Sequence, residues 1–148
     1  MYHLIYVSQA ERPMSEDELA AILKKSRDRN TREGISGLLI YRYAPADGRA
    51  NFMQLLEGEK GQVLKAYDRI KADGRHHTKI VLEQGDIDER HFADWSMGFR
   101  NVDEADLAGF EGYSDLGSDA FWARANADDL SDALELMMSF AGEDLGEN

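Results

Sequence analysis

The sequence has no cysteine, which excludes a disulfide framework, a cysteine nucleophile and a thiolate zinc site. It also lacks any apolar run approaching the ~20 residues that a membrane helix needs. Its start, Met1-Tyr2-His3-Leu4-Ile5-Tyr6-Val7, does not follow the basic, long-apolar, small-residue order of a leader peptide. A cytoplasmic location is therefore expected. Nor is there a Gly-x-Gly-x-x-Gly, a Walker loop, a Gly-x-Ser-x-Gly or a His-Glu-x-x-His, so nothing points to a conventional hydrolase or transferase. Internal repeats and low-complexity tracts are missing as well. What is present is 148 residues, 43% of them hydrophobic, enough chain for one well-formed core.

Positive charge is scarce in one place only. Residues 1–100 carry 16 basic and 16 acidic side chains, whereas residues 101–148 carry Arg124 against 13 acidic ones, which accounts for the whole net charge of −12. Affinity for nucleic acid comes largely from Lys and Arg neutralising phosphates, so this tail disfavours nucleic acid, and it disfavours anionic membrane surfaces for the same reason. The split suggests a neutral unit over 1–100 and an acidic helical extension over 101–148.

Within the first unit the pattern reads β-α-β-β-α-β. Leu4–Ser8 is rich in β-favouring residues. Pro13 closes a loop, and Ser15-Glu16-Asp17-Glu18 has the spacing of a capping box before Leu19, Ile22, Leu23 and Ser26 at helical intervals, with the helix expected to end near Asn30. Ile35–Tyr41 and Phe52–Leu56 read as strands joined by a loop containing Pro45 and Asp47-Gly48. Val63, Leu64, Tyr67 and Ile70 mark a second helix ending at Gly74, and Lys79–Glu83 a fourth strand. Trp95–Phe99 alternates large and small side chains like a fifth. The fold class expected is α+β, a ferredoxin-like β-α-β-β-α-β sandwich with an added fifth strand and C-terminal helices. One of these is a helix from about Asp128 to Ala141 carrying Leu130, Ala133, Leu134, Met137 and Met138, packed on the sheet's open face or on a partner.

In that topology the first and third strands are neighbours at the sheet centre, and period-two alternation allows Tyr6 and Gln54 to share a face. A carboxamide in an otherwise apolar strand costs stability unless something polar meets it. The bland readings are a solvated Gln54, a core Tyr6, Asn30 as a helix C-cap, and Arg69 with Asp73 as a surface ion pair at i,i+4. His76 and His77 are adjacent, which makes convergence on one metal ion difficult, so no metal site is expected. Core packing is the bland reading of Trp95, Met97 and Phe99.

Five blocks taken in order resemble the BLUF family, blue-light sensors that bind FAD or FMN. They are Leu4-Ile5-Tyr6-Val7-Ser8, Asn30 five residues before Ile35-Ser36-Gly37-Leu38-Leu39, Phe52-Met53-Gln54-Leu55-Leu56-Glu57-Gly58, Asp73-Gly74-Arg75-His76, and Arg90-His91-Phe92-x-x-Trp95-Ser96-Met97-Gly98-Phe99. The resemblance implies that Tyr6 and Gln54 are the photochemical pair and that Asn30 holds the pyrimidine edge of the flavin. It further implies Arg69 and Asp73 at the polar rim, Ile22 and Ile70 against the ring faces, and His76 nearby. Trp95 and Met97 would be the fifth-strand residues that read out the switch. Ser36 stands where Thr is commoner and Arg29 where some members carry a second Asn, and the hairpin from Arg42 to Asn51 is longer than usual. By this reading the chain is a photoreceptor and not an enzyme, a homo-oligomer passing its signal to a downstream protein partner. Two other functions stay open: a flavin-dependent redox enzyme of ferredoxin-like fold, and a flavin-free interaction module.

Overall fold

The computed structural model describes residues 1–10, 12–44, 48–74, 76–93, 95–102, 107, 116, 119–127 and 133–139. Among these the chain order is β1 (Tyr2–Ala10), α1 (Glu16–Glu33), β2 (Ser36–Ala44), β3 (Arg49–Gly58), α2 (Lys60–Ala72), β4 (His76–Asp86), β5 (Gly98–Asn101), α3 (Asp119–Asn126) and α4 (Ala133–Met138). The strands form one sheet in the order β4-β1-β3-β2-β5. β1 and β3 run antiparallel at its centre with Tyr6 directly across from Gln54, and β5 joins β2 in parallel. This is the expected α+β, ferredoxin-like arrangement with a fifth strand added. No helix among the described residues is long and apolar enough to cross a membrane.

Local chemistry explains the element limits. The Ser15 hydroxyl accepts from the Glu18 backbone N–H while the Glu18 carboxylate accepts from the Ser15 N–H, closing the capping box at the start of α1. The helix ends at Gly34, whose left-handed backbone (φ 68°) lets its N–H reach the Asn30 carbonyl. α1 therefore runs past the expected end at Asn30 to Glu33. The strands likewise extend beyond the predicted segments, because both flanks of β1 find ladder partners on β3 and β4.

Alternation sorts the side chains onto two faces. Leu4, Tyr6, Leu39, Phe52 and Leu56 face α1 and α2, meeting Leu19, Leu23, Val63, Ala66 and Tyr67. On the opposite face Ile5, Val7, Leu38, Ile40, Met53 and Leu55 pack against Phe121, Trp122 and Ala125 of α3 and Ala133, Leu136 and Met137 of α4. The acidic segment thus contributes apolar helices to the sheet's second face, as its stripe implied. Its last described helix, Ala133–Met138, stops before the expected end at Ala141, and Met138 points outward at 43% exposure. Residues 128–132, Leu130 among them, and residues 140–141 of the expected helix lie outside the described residues. α3 was not anticipated.

The fifth strand also differs from expectation. It begins at Gly98, so Trp95 and Met97 precede it. Their segment is held by side chains and single main-chain bonds rather than by a ladder.

Candidate functional site

The face under α1 and α2 carries Tyr6 and Gln54, both buried and directly across from each other on β1 and β3. The Tyr6 hydroxyl donates to Gln54 Oε1 at 2.5 Å, and Gln54 Nε2 donates to Met97 Sδ at 3.4 Å. A thioether sulfur can only accept, so the amide nitrogen faces Met97 and the oxygen faces the phenol. That assignment makes Tyr6 the donor. With both ends engaged, Gln54 avoids the ~1–3 kcal/mol that an unpaired buried polar group costs, and the bland reading of a solvated glutamine does not apply.

Tyr6 is held as a neutral phenol. Burial pushes its hydroxyl well above the usual phenol value of 10.0, with smaller contributions from nearby Tyr67 and Asp73. The Tyr67 ring lies 5.4 Å from that of Tyr6 at a 51° tilt, so α2 buttresses the phenol directly. Sequence reasoning placed Tyr67 in the apolar stripe and did not mark it for the site.

Above the pair, α1 and α2 stand apart and leave a cleft of about 360 Å³. Ile22, Ser26 and Asn30 line it from α1, Arg69, Ile70 and Asp73 from the end of α2, and Tyr6, Leu39, Phe52, Gln54 and Leu56 from the sheet. The volume lies in the ~300–1,000 Å³ range of small-molecule sites. Ile22 and Ile70 offer apolar walls, and Gln54 and Asn30 bring two carboxamides to the same space. A flat heteroaromatic ring with donors and acceptors along one edge fits that set, since a carboxamide presents both functions.

The structure brings together Tyr6, Ile22, Asn30, Gln54, Arg69, Ile70 and Asp73 around this cleft. Met97 joins them through the Gln54 amide. Asn30 combines two roles: its main-chain carbonyl takes the α1 cap bond, while its side-chain Nδ2 donates to the Ser96 carbonyl at 2.8 Å. Arg27 Nε donates to the Met97 carbonyl at 2.9 Å, and the Gly37 N–H to the Trp95 carbonyl at 3.1 Å. The carbonyls of residues 95, 96 and 97 are thus each pinned to α1 or β2.

Two expectations change here. Arg69 forms a two-pronged pair with Glu33, at 3.1 and 3.0 Å, in place of the i,i+4 surface pair with Asp73. The planar guanidinium suits this fork across the helix ends, and Asp73 instead caps α2, its N–H donating to the Ile70 carbonyl. Trp95, in turn, belongs to the second face. Its ring packs against Phe92 at 5.2 Å and over Gly98, where an added Cβ would come within 2.8 Å of the indole. His76 opens β4 opposite Ala10, and its side chain lies outside what is described. Among the described residues no three His, Asp or Glu side chains are grouped to hold a metal ion.

A sequence profile described as "BLUF: Sensors of blue-light using FAD" matches residues 1–98. Photoactivated adenylate cyclase subunit beta of Euglena longa is 37% identical over 95 residues, covering 64% of this chain and 10% of the cyclase subunit. The chain thus spans about a tenth of the length of the curated relatives it matches. Among solved structures, the photo-activated state of BlsA superimposes with a TM-score of 0.71 at 29% identity, covering 97% of this chain and 96% of that one. The dark state of BlrB, a BLUF protein, gives 0.67 at 27% identity over 93% and 95% of the two chains.

Proposed function

We propose, from the premise that this chain belongs to the BLUF family of sensors of blue-light using FAD, that Tyr6, Gln54 and Met97 are the working parts of its light switch. The observation that carries this reading is the directed chain Tyr6 O–H to Gln54 Oε1 and Gln54 Nε2–H to Met97 Sδ, which starts at the two polar residues in the cleft's floor and leads out of it to Met97. Ile22 and Ile70 would hold a flavin ring between them, Asn30 and Gln54 would meet its polar groups, and Arg69 and Asp73 line the rim of the same cleft. These contacts read the ring, so they serve FAD and equally FMN.

When bound, flavin supplies absorption of blue light and, once excited, a strong oxidant. Tyr6 is placed to answer it. A neutral phenol that loses an electron becomes far too acidic to keep its proton, and the 2.5 Å bond gives that proton one direct path, to Gln54 Oε1. Return of the electron and proton restores Tyr6 but leaves the carboxamide rotated or tautomerised. In the rotated form its bond to Met97 is lost, because a thioether sulfur cannot donate to an amide oxygen. No substrate bond is made or broken, so the cycle is that of a switch and not of an enzyme.

Met97 passes the change to the 95–97 segment and β5, and from there to the helices of residues 101–148. In the Euglena relatives the matched segment is one part of a photoactivated cyclase subunit. Here residues 1–100 act as the sensor, and residues 101–148 present the signal to a separate downstream protein. The test is the absorption of flavin-loaded protein purified in the dark. Blue light is expected to red-shift the flavin band reversibly, and Gln54→Leu to abolish the shift while flavin stays bound. An unaltered photocycle in that variant overturns the reading.

A further inference from the structure

Glu57 is a fully buried carboxylate on the sheet face opposite the cleft, three residues after Gln54 on β3. Its oxygens accept from the Phe92 N–H at 2.6 Å, the His91 N–H at 2.9 Å and the Ser36 hydroxyl at 3.1 Å. The His91 imidazole Nδ1 stands 3.7 Å away. Arg90 braces the same corner, donating to the Ser36 hydroxyl at 2.9 Å, the Glu57 carbonyl at 3.3 Å and the Gly34 carbonyl at 2.6 Å.

Burying a carboxylate is expensive, and an apolar side chain of similar volume often stabilises a fold as well or better. What a carboxylate adds is direction. It takes two successive main-chain N–H groups in one fixed geometry, which no apolar side chain can do. The bonds that follow form a closed circuit. Phe92, held by Glu57, accepts from the Trp95 N–H at 3.0 Å. Trp95 is held in turn by the Gly37 N–H, and two residues on Met97 accepts from Gln54, which shares β3 with Glu57. The distance along the chain from anchor to reporter is thereby set at both ends by one strand.

We propose that Glu57 is a positioning residue of the switch: by anchoring His91 and Phe92 it sets where the following segment places its side chains, Met97 against Gln54 and Trp95 on the opposite face. This rests on the reading of Gln54 and Met97 given above, and it adds a control point on the far side of the sheet. Weakening the anchor lets the 92–97 segment slide, so that Met97 loses its place before the flavin site itself is touched.

The test uses flavin-loaded, full-length protein with ¹³C-methyl methionine, Met97→Leu assigning the Met97 signal and Met137 of α4 serving as internal control. Glu57→Gln keeps the shape but replaces one acceptor with a donor that opposes the His91 or Phe92 N–H. The expected result in the dark is a displaced or broadened Met97 resonance with Met137 unmoved, flavin content unchanged, and thermal recovery after illumination altered on the order of threefold or more. A native Met97 resonance in Glu57→Gln overturns the proposal. If neither native nor variant protein shows a photocycle, the switch reading fails, while the Met97 resonance still decides the role of Glu57. Should Glu57→Gln not fold cooperatively, Ser36→Ala, which removes one donor from the same carboxylate, is expected to shift Met97 in the same sense, and an unmoved signal there also overturns the proposal.

Discussion

The two faces of this sheet are made from the same strands, residue by residue in alternation, yet one is closed and the other is not. On the second face Ile5, Val7, Leu38, Ile40, Met53 and Leu55 are met by Phe121, Leu136 and Met137 and fully buried. On the first, α1 and α2 cover the sheet's flanks and leave a cleft over Tyr6 and Gln54. Protein interiors otherwise pack to crystal-like density, so a face that forgoes contact over its centre is shaped for a guest. The polar groups follow the same division. On the closed face they serve to hold chain segments, as Asn51 does in accepting from Trp122 Nε1 at 3.2 Å. On the open face Tyr6 and Gln54 lie in the cleft itself. The 95–97 segment threads between the two, with Trp95 assigned to the closed face and Met97 to the open one.

That contrast can be broken most forcefully from the closed side. Phe121→Ala removes a fully buried ring from α3, and the expected cost is ~3–5 kcal/mol, seen as a lower denaturation midpoint. The absorption maximum of bound flavin is expected to stay in place, because α3 does not line the cleft; a shifted spectrum in a folded variant would mean that the faces are not separable. A smaller effect is expected from Trp122→Phe, which leaves Asn51 Oδ1 without its indole donor and costs ~1–3 kcal/mol in urea unfolding. The photocycle should persist with its recovery changed little. Equal loss of stability from Asn51→Ala and from the double variant would confirm that the two side chains act through one bond.

The smallest effect lies outside both faces. Arg12 pairs with Glu18 at the start of α1 and, with help from the Ser15 backbone, holds its carboxyl down at about 2 from an ordinary 4.5. A lowered carboxylate pKa stabilises the fold above the unfolded value and loses that contribution as pH falls through the folded one. Glu18→Gln should therefore lower the thermal midpoint slightly near neutrality, flatten its profile between pH 4.5 and about 2, and leave it unchanged below that range. Solvent around the pair screens it and keeps the effect small.

Much of this contrast was legible in the sequence. The capping box, the stripe at Leu19, Ile22 and Leu23, and the order of strands and helices are local signals, and within that order alternation allowed Tyr6 and Gln54 to share a face, which the β1–β3 register settles. The polar Gln54 within an apolar strand announced the site. What escaped was non-local. Trp95, Met97 and Phe99 alternate as a strand does, but the partners of residues 95–97 are Gly37, Asn30 and Arg27, far away in the chain, and they hold the segment outside the ladder. Glu33 as the partner of Arg69 is equally remote, and the nearer Asp73 drew attention from it. Glu57 carried the same signal as Gln54, a polar residue in an apolar run, but was passed over as part of a motif. α3 was missed because Phe121, Trp122 and Ala125 supply only a short apolar patch among glycines and acids.

The central claim is that the open face works through the Tyr6–Gln54 bond while the closed face transmits. Its most direct test is the light-minus-dark absorption spectrum of flavin-loaded protein, native against Gln54→Leu. The account predicts a reversible red shift in the native protein and none in the variant, with equal flavin content; a shift of native size and recovery in Gln54→Leu would contradict it.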